Sequence, residues 1–156
     1  MDAAGNVLIA DTGDDRILVV AGSSGTFYGQ AMTAGDIYSV AGDGTTGFSG
    51  DGGPATAAEL DNPARVTVDG AGNLLIADAG NNRVRVVAAA AGTFYGVPMT
   101  AGKIYTVAGK GTAGFSGDGG RAVKAGLNRP VDAVADSSGD LLISDSGNGR
   151  VRMVSG

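Results

Sequence analysis

The chain has 156 residues, 29 of them glycine, with no cysteine, no histidine and a formal charge of −5. Lacking both residue types, it can form no disulfide and perform no thiolate chemistry, and it is without the commonest general base and the commonest metal ligand. The acidic balance disfavours a nucleic-acid backbone as partner, and no apolar run approaches the ~18 residues of a membrane span.

Asn6-Val7-Leu8-Ile9-Ala10-Asp11 is the first strand-like run. It recurs as Asn73-Leu74-Leu75-Ile76-Ala77-Asp78 and again as Asp140-Leu141-Leu142-Ile143-Ser144-Asp145, at a spacing of 67 residues. Residues 6–72 align with 73–139 without a gap, and 140–156 begin a third copy, so the whole chain reads as one repeat domain, 1–156. The complete unit predicts four strands: Arg65 to Val68, Leu74 to Ala77, Arg83 to Val87 and Ile104 to Val107, the first recurring as Asp132 to Ala135. Asp69-Gly70-Ala71-Gly72-Asn73 and Ala79-Gly80-Asn81-Asn82 are tight turns, because Gly, Asn and Asp tolerate positive φ. Turns this short leave no room for crossover helices. The predicted fold is therefore all-β, with four-stranded antiparallel meanders stacked as β-propeller blades.

Pro63-x-x-Val66-x-Val68-Asp69 followed by Gly72-Asn73-Leu74-Leu75-Ile76-Ala77-Asp78-x-Gly80-Asn81-Asn82-Arg83-Val84-Arg85, with Ile104-Tyr105-Thr106-Val107-Ala108-Gly109 continuing it, resembles the NHL repeat. The run Gly114 to Gly120 is similar to the connector of bacterial NHL proteins. The resemblance implies a propeller, usually of six blades, and an extracellular or cell-surface setting, although Met1 to Gly5 has neither the basic nor the apolar part of a signal peptide. The unit departs from the family by two insertions, Gly92 to Gly102 and Lys110 to Asn128. The first is expected to lengthen the hairpin between strands three and four, the second to form a long loop between blades.

The strand order reads two-three-four, one-two-three-four, one-two-three, which amounts to a partial propeller of two to three blades. Uncovered blade faces recruit partners, so the chain is expected to associate with itself, two or three copies completing about six blades, or to be a piece of a longer propeller. Residues 6–72 hold nine acids and two bases, a net of −7, whereas 73–139 hold seven bases and four acids, a net of +3. Aligned positions reverse sign, Asp36 against Lys103 and Asp43 against Lys110. These four are the candidate residues of a head-to-tail interface, which closes into a ring or runs on as a filament.

Asp11, Asp78 and Asp145, with Arg16, Arg83 and Arg150, recur in every unit. Repetition favours a structural role, each Asp capping the following turn and each Arg pairing with it or with the next blade. The aromatics also fall in aligned pairs: Phe115 is expected to pin its loop between blades, and Phe94 and Tyr95 to pack on their hairpin. Asp51 and Asp118, in glycine-rich loops, are weak calcium candidates, because each loop offers one carboxylate and no Asp-x-Asp-x-Asp spacing. Gly42-Asp43-Gly44-Thr45-Thr46-Gly47 and its copy at 109–114 fit a dinucleotide pattern in letters only, since no helix follows.

No catalytic constellation and no cofactor motif emerges. The leading expectation is a non-catalytic scaffold or recognition module that takes a protein or glycan through its loops. A lactonase- or lyase-like enzyme is the alternative; the lyase type uses His ligands, and a carboxylate site needs further blades. RNA binding ranks below both, and an engineered or excised piece that reports only on propeller assembly is a further reading.

Overall fold

The computed structural model describes all 156 residues, Met1–Gly156. The first unit contains β1 (Val7–Asp11), β2 (Arg16–Val20), the short pair β3 (Gly25–Phe27) and β4 (Gln30–Met32), and β5 (Ile37–Ala41). The second contains β6 (Pro63–Val68), β7 (Leu74–Asp78), β8 (Arg83–Val87), the short pair β9 (Gly92–Phe94) and β10 (Val97–Met99), and β11 (Ile104–Ala108). The third contains β12 (Pro130–Ala135), β13 (Leu141–Asp145) and β14 (Arg150–Val154). Three antiparallel meanders result, ordered β1-β2-β5, β6-β7-β8-β11 and β12-β13-β14. They are the blades of a partial β-propeller.

The strand that begins the complete blade starts at Pro63, two residues before the predicted Arg65. Pro63 pairs with Asp78, and the register slips before Arg65. A residue without an N–H is accommodated at the first position of an edge strand, so the proline opens the strand instead of preceding it.

The central blade is apolar on both faces because it is covered on both. Along β7 every residue is buried. Leu74 and Ile76 join Val87 and Ile104 in one cluster with Ile17, Val19 and Val40 of the first blade. Leu75, together with Val84, Val86 and Val107, joins Leu141 and Ile143 of the third. Alternate residues of a strand point to opposite faces, so one continuous run, Leu-Leu-Ile-Ala, feeds two inter-blade cores. Each such side chain, fully buried, contributes roughly 1.5–3 kcal/mol.

The outer faces of the terminal blades present the same positions to solvent. Val7 and Ile37 of the first blade are 43% and 58% exposed, where their equivalents Leu74 and Ile104 are fully buried. Val151 and Met153 of the third are 73% and 61% exposed, where Val84 and Val86 are fully buried.

Both insertions take defined shapes. The first folds as its own two-stranded hairpin, β9 with β10, turned through Tyr95 and Gly96, both at positive φ. Tyr95 then donates its hydroxyl to Asp69 Oδ2 at 2.9 Å, as Tyr28 does to Asp2 at 2.6 Å, tying each hairpin back to the turn that precedes β7 or β1. The second insertion leaves one blade and travels across the next. The glycine just before it is obligatory: Gly109 sits at φ +91, and an added Cβ would run into the Asn82 carbonyl oxygen.

Candidate functional site

The most connected polar group in the molecule is Arg85. It lies on β8, with its guanidinium fully buried beneath the long loop that arrives from the first blade. Nε and Nη2 donate to Asp51 Oδ1 at 3.1 and 2.8 Å, Nη2 also to the Ser49 carbonyl at 2.8 Å, and Nη1 to the Glu59 carbonyl and Asp78 Oδ2 at 3.2 and 3.4 Å. A fork of five fixed donors suits this task, because it satisfies a carboxylate and several loop carbonyls from one buried point. The loop is sealed by Phe48, over whose ring the guanidinium carbons of Arg83 and Arg85 stand 3.6 and 4.8 Å from the centroid. Arg152 repeats the arrangement on β14, reaching Asp118, the carbonyls of Ser116 and Gly126, and Asp145, with Phe115 under Arg150 and Arg152.

Instead of capping the backbone of its turn, Asp78 binds the side chain of the turn residue Asn81 and the loop from the first blade. Oδ1 accepts from the Asp61 N–H at 2.9 Å and Oδ2 from Asn81 Nδ2 at 2.9 Å. Asp145 does the same with the Asn128 N–H and Asn148. Burial pushes the Asp78 carboxyl up to about 6, against the pull of those hydrogen bonds and of the Arg85 charge.

The arginine assigned to each of these carboxylates needs correcting. In the second and third units the partner of Asp78 is Arg85 and that of Asp145 is Arg152, while Arg83 and Arg150 turn to the phenylalanine rings and to backbone carbonyls. Only Arg16 approaches its own Asp11, at 3.9 Å, and it lies closer to Asp14, at 3.2 Å. The reason is steric placement: Arg83 lies directly opposite Asp78 at the strand end, where the buried side of the turn is already filled by Asn81. Burial and the neighbouring Arg85 charge hold the Arg83 guanidinium below its ordinary range.

Asp51 and Asp118, the calcium candidates, each turn a carboxylate oxygen to an arginine. Asp36 and Lys103 stand immediately before β5 and β11, and Asp43 and Lys110 shortly after them. Asp43 Oδ1 caps the Thr45 N–H at 2.7 Å, and Lys110 Nζ reaches Ser116 Oγ at 3.5 Å. These four candidates do not meet one another: they mark the two ends of the fourth strand in each unit.

A cavity of about 760 Å³ opens beside β14. It is bounded by Val151 and Met153 on one side, by the loop Gly117 to Gly120 on the other, and by Ala122, Leu127 and Ile143 below. A second, of about 520 Å³, lies between blades among Thr12, Asn62, Asn82, Asn128 and Arg129.

The NHL repeat family model matches residues 60–87 and 127–152, the segments that hold β6 to β8 and β12 to β14. These two segments are NHL repeats. Among solved structures, the chain is similar to an auxiliary nutrient binding protein from Bacteroides thetaiotaomicron VPI-5482, at 21% identity and a TM-score of 0.64, covering 95% of this chain and 34% of that one. A structural genomics protein of unknown function from the same strain gives 21% identity and a TM-score of 0.71 over 95% and 32%. An auxiliary nutrient binding protein from Bacteroides ovatus ATCC 8483 gives 21% and 0.63 over 95% and 34%. The chain thus spans about a third of the length of each, and the likeness is one of fold. No curated protein sequence matches it.

Proposed function

We propose that the chain is a non-catalytic NHL propeller module that associates head to tail with copies of itself into a ring of about six blades, and that it presents its loops to a protein or glycan. The observation that carries the reading is the pair of outer faces. Val7, Ile9 and Ile37 on the first blade are the aligned counterparts of Leu74, Ile76 and Ile104, and Leu142, Val151 and Met153 on the third are those of Leu75, Val84 and Val86. Each inner set is one half of a packed inter-blade core. A first blade seated on a third blade therefore repeats a contact that the molecule already makes twice. The acidic first unit and the basic second give the association a direction.

The non-catalytic part of the reading draws on where the ionisable groups are used. Asp78, the carboxyl that burial lifts to about 6, has a side chain with no exposed surface, so a substrate does not reach it. The binding part draws on the long loops, ordered by Arg85 and Arg152, and on the two similar proteins described as nutrient binding. Sedimentation equilibrium at tens of micromolar tests the association: a mass of two or three chains is expected, and a single-chain mass overturns it. Glycan-array and affinity-capture screens of the associated form test the loops, with discrete, saturable ligands expected.

A further inference from the structure

The cavity between blades takes its walls from residues 12 to 131, drawn from all three blades. It sits where the turn between β7 and β8 meets the starts of β6 and β12. Its volume of about 520 Å³ falls within the roughly 300–1,000 Å³ of small-molecule sites. Three of the six non-glycine residues held at positive φ line it: Asn62 at +50, Asn82 at +52 and Arg129 at +47. Asparagine tolerates this left-handed region, whereas a long side chain such as arginine rarely occupies it. Residues held there by their surroundings cluster where ligands are clamped. Arg129 is held by Asn82, whose Oδ1 accepts its N–H at 2.9 Å.

The repeat is broken around this cavity, and each break has the same electrical sign. Asp15, Asp61 and Asn62 stand at the junction of the first two blades; the aligned residues at the next junction are Asn82, Asn128 and Arg129. Every exchange raises the charge by one, so a set carrying −2 becomes a set carrying +1. The backbone geometry stays the same: Asp15 Oδ1 accepts the Asn62 N–H at 2.7 Å, as Asn82 accepts that of Arg129. Joining blades therefore does not require the change. No carboxylate lines the cavity, although the chain holds 16 acids against 11 bases.

The polar groups at the rim say what fits. The Arg129 side chain has no partner in the protein, so its guanidinium donors are all free. Thr12 spends its hydroxyl proton on the Pro63 carbonyl at 2.9 Å. Asn62 and Asn128 spend Nδ2 on Asp61 Oδ1 and the Gly147 carbonyl, at 3.3 and 3.2 Å. Thr12 Oγ1, Asn62 Oδ1 and Asn128 Oδ1 are left as acceptors. Ala64, Ala79 and Val131 supply an apolar wall.

A matching ligand brings a carboxylate for the guanidinium, hydroxyls that donate to the three oxygens, and a C–H face for the apolar wall. We propose that this cavity binds a hexuronate, the acidic sugar of a glycan, with its carboxylate forked on Arg129. The inference rests on the glycan part of the reading above, narrows it to acidic sugars, and needs no second copy of the chain.

The ¹⁵N-labelled chain is titrated with digalacturonate, its neutral dimethyl ester and acetate, and binding is followed by amide chemical shifts. Saturable shifts at Gly80, Asn82 and Arg129 are expected, with digalacturonate about tenfold tighter than the ester and acetate not saturating. Arg129→Gln is expected to bring acid and ester to one affinity. Arg121→Gln, at an exposed arginine outside the cavity, is expected to leave the preference intact. Circular dichroism checks that both variants keep their strands. Equal affinities of acid and ester in the parent chain, acetate matching digalacturonate, or a preference that survives Arg129→Gln overturns the proposal. Glycan-array hits that do not depend on Arg129 overturn this cavity alone; an array without hits, together with no shifts here, removes the glycan reading as well.

Discussion

Arg85 and Asp51 belong to different units, yet their side chains meet at 2.8 Å, the arginine with no exposed surface and the aspartate 39% exposed. Through this contact a loop that starts in one blade becomes part of the next. The same guanidinium touches Asp78 in the interior, so loop order and blade order share a single group.

Removing that group exposes the dependence. Arg85→Met leaves Asp78 buried without its cation, and the expected loss is about 3–5 kcal/mol of unfolding free energy. In urea denaturation Asp78→Asn combined with Arg85→Met is expected to recover a substantial part of the loss, because the uncompensated charge is gone. Loss of the same size in the single and double variants would show that loop packing, not charge, dominates.

Asp78 also gives stability a pH dependence of known sign. Its folded-state carboxyl is raised by burial to about 6 from an ordinary 3.8. The folded state therefore binds the proton more tightly than the unfolded chain. The contribution is fully present below the ordinary value and is lost as pH rises through about 6. Melting temperature is expected to fall across pH 4–6 by more in the parent than in Asp78→Asn, whose side chain does not titrate. Parallel profiles for the two proteins would remove Asp78 as the source.

At Gly109 the backbone leaves β11 at φ +91, with the Asn82 carbonyl oxygen where a Cβ would stand. Gly109→Ala must move that loop or distort its dihedrals, at an expected cost of about 2 kcal/mol or more. Gly119→Ala, where nothing lies within 4 Å of the added carbon, carries only the strain of its positive φ and is expected to cost less. Thermal melts of the two variants separate close approach from dihedral strain.

Met153→Glu tests the outer face of the third blade. The side chain is 61% exposed, so the single chain should retain its melting temperature to within about 0.5 kcal/mol of stability, the usual range for surface changes. Its association, read by light scattering at tens of micromolar, is expected to weaken at least tenfold. Unchanged association would place the contact elsewhere.

The repeat makes the strands and their face-to-face stacking legible in the sequence, because a gapless spacing of 67 residues carries apolar positions onto apolar positions. Leu74 and Leu75 read as one run, and a run buried on both sides follows from blades on both sides. The buried arginines were harder to read. Arg85 and Arg152 recur in two units, but the first unit has Leu18 in their place, so the arginines common to every unit are Arg16, Arg83 and Arg150. The signal for Arg85 and Arg152 was the loop: each lies on a blade that a long loop crosses and binds that loop's carbonyls. Phe115 reads as a loop pin, and its ring does lie under arginines of the blade that the loop crosses, as does the aligned Phe48. The cavity beside β14 was invisible in the letters, since its walls come from separate segments, the loop from Gly117, β13 and β14, that only the folded blade brings together.

The two internal junctions between blades use aligned residues, Ile76 at one and Ile143 at the other, for the same packing task. A gene encoding such a chain can gain or lose a whole cassette by unequal recombination without creating a junction that selection has not already tested. Ring size and reading length thus become quantities that drift can explore, while the rules of contact stay constant.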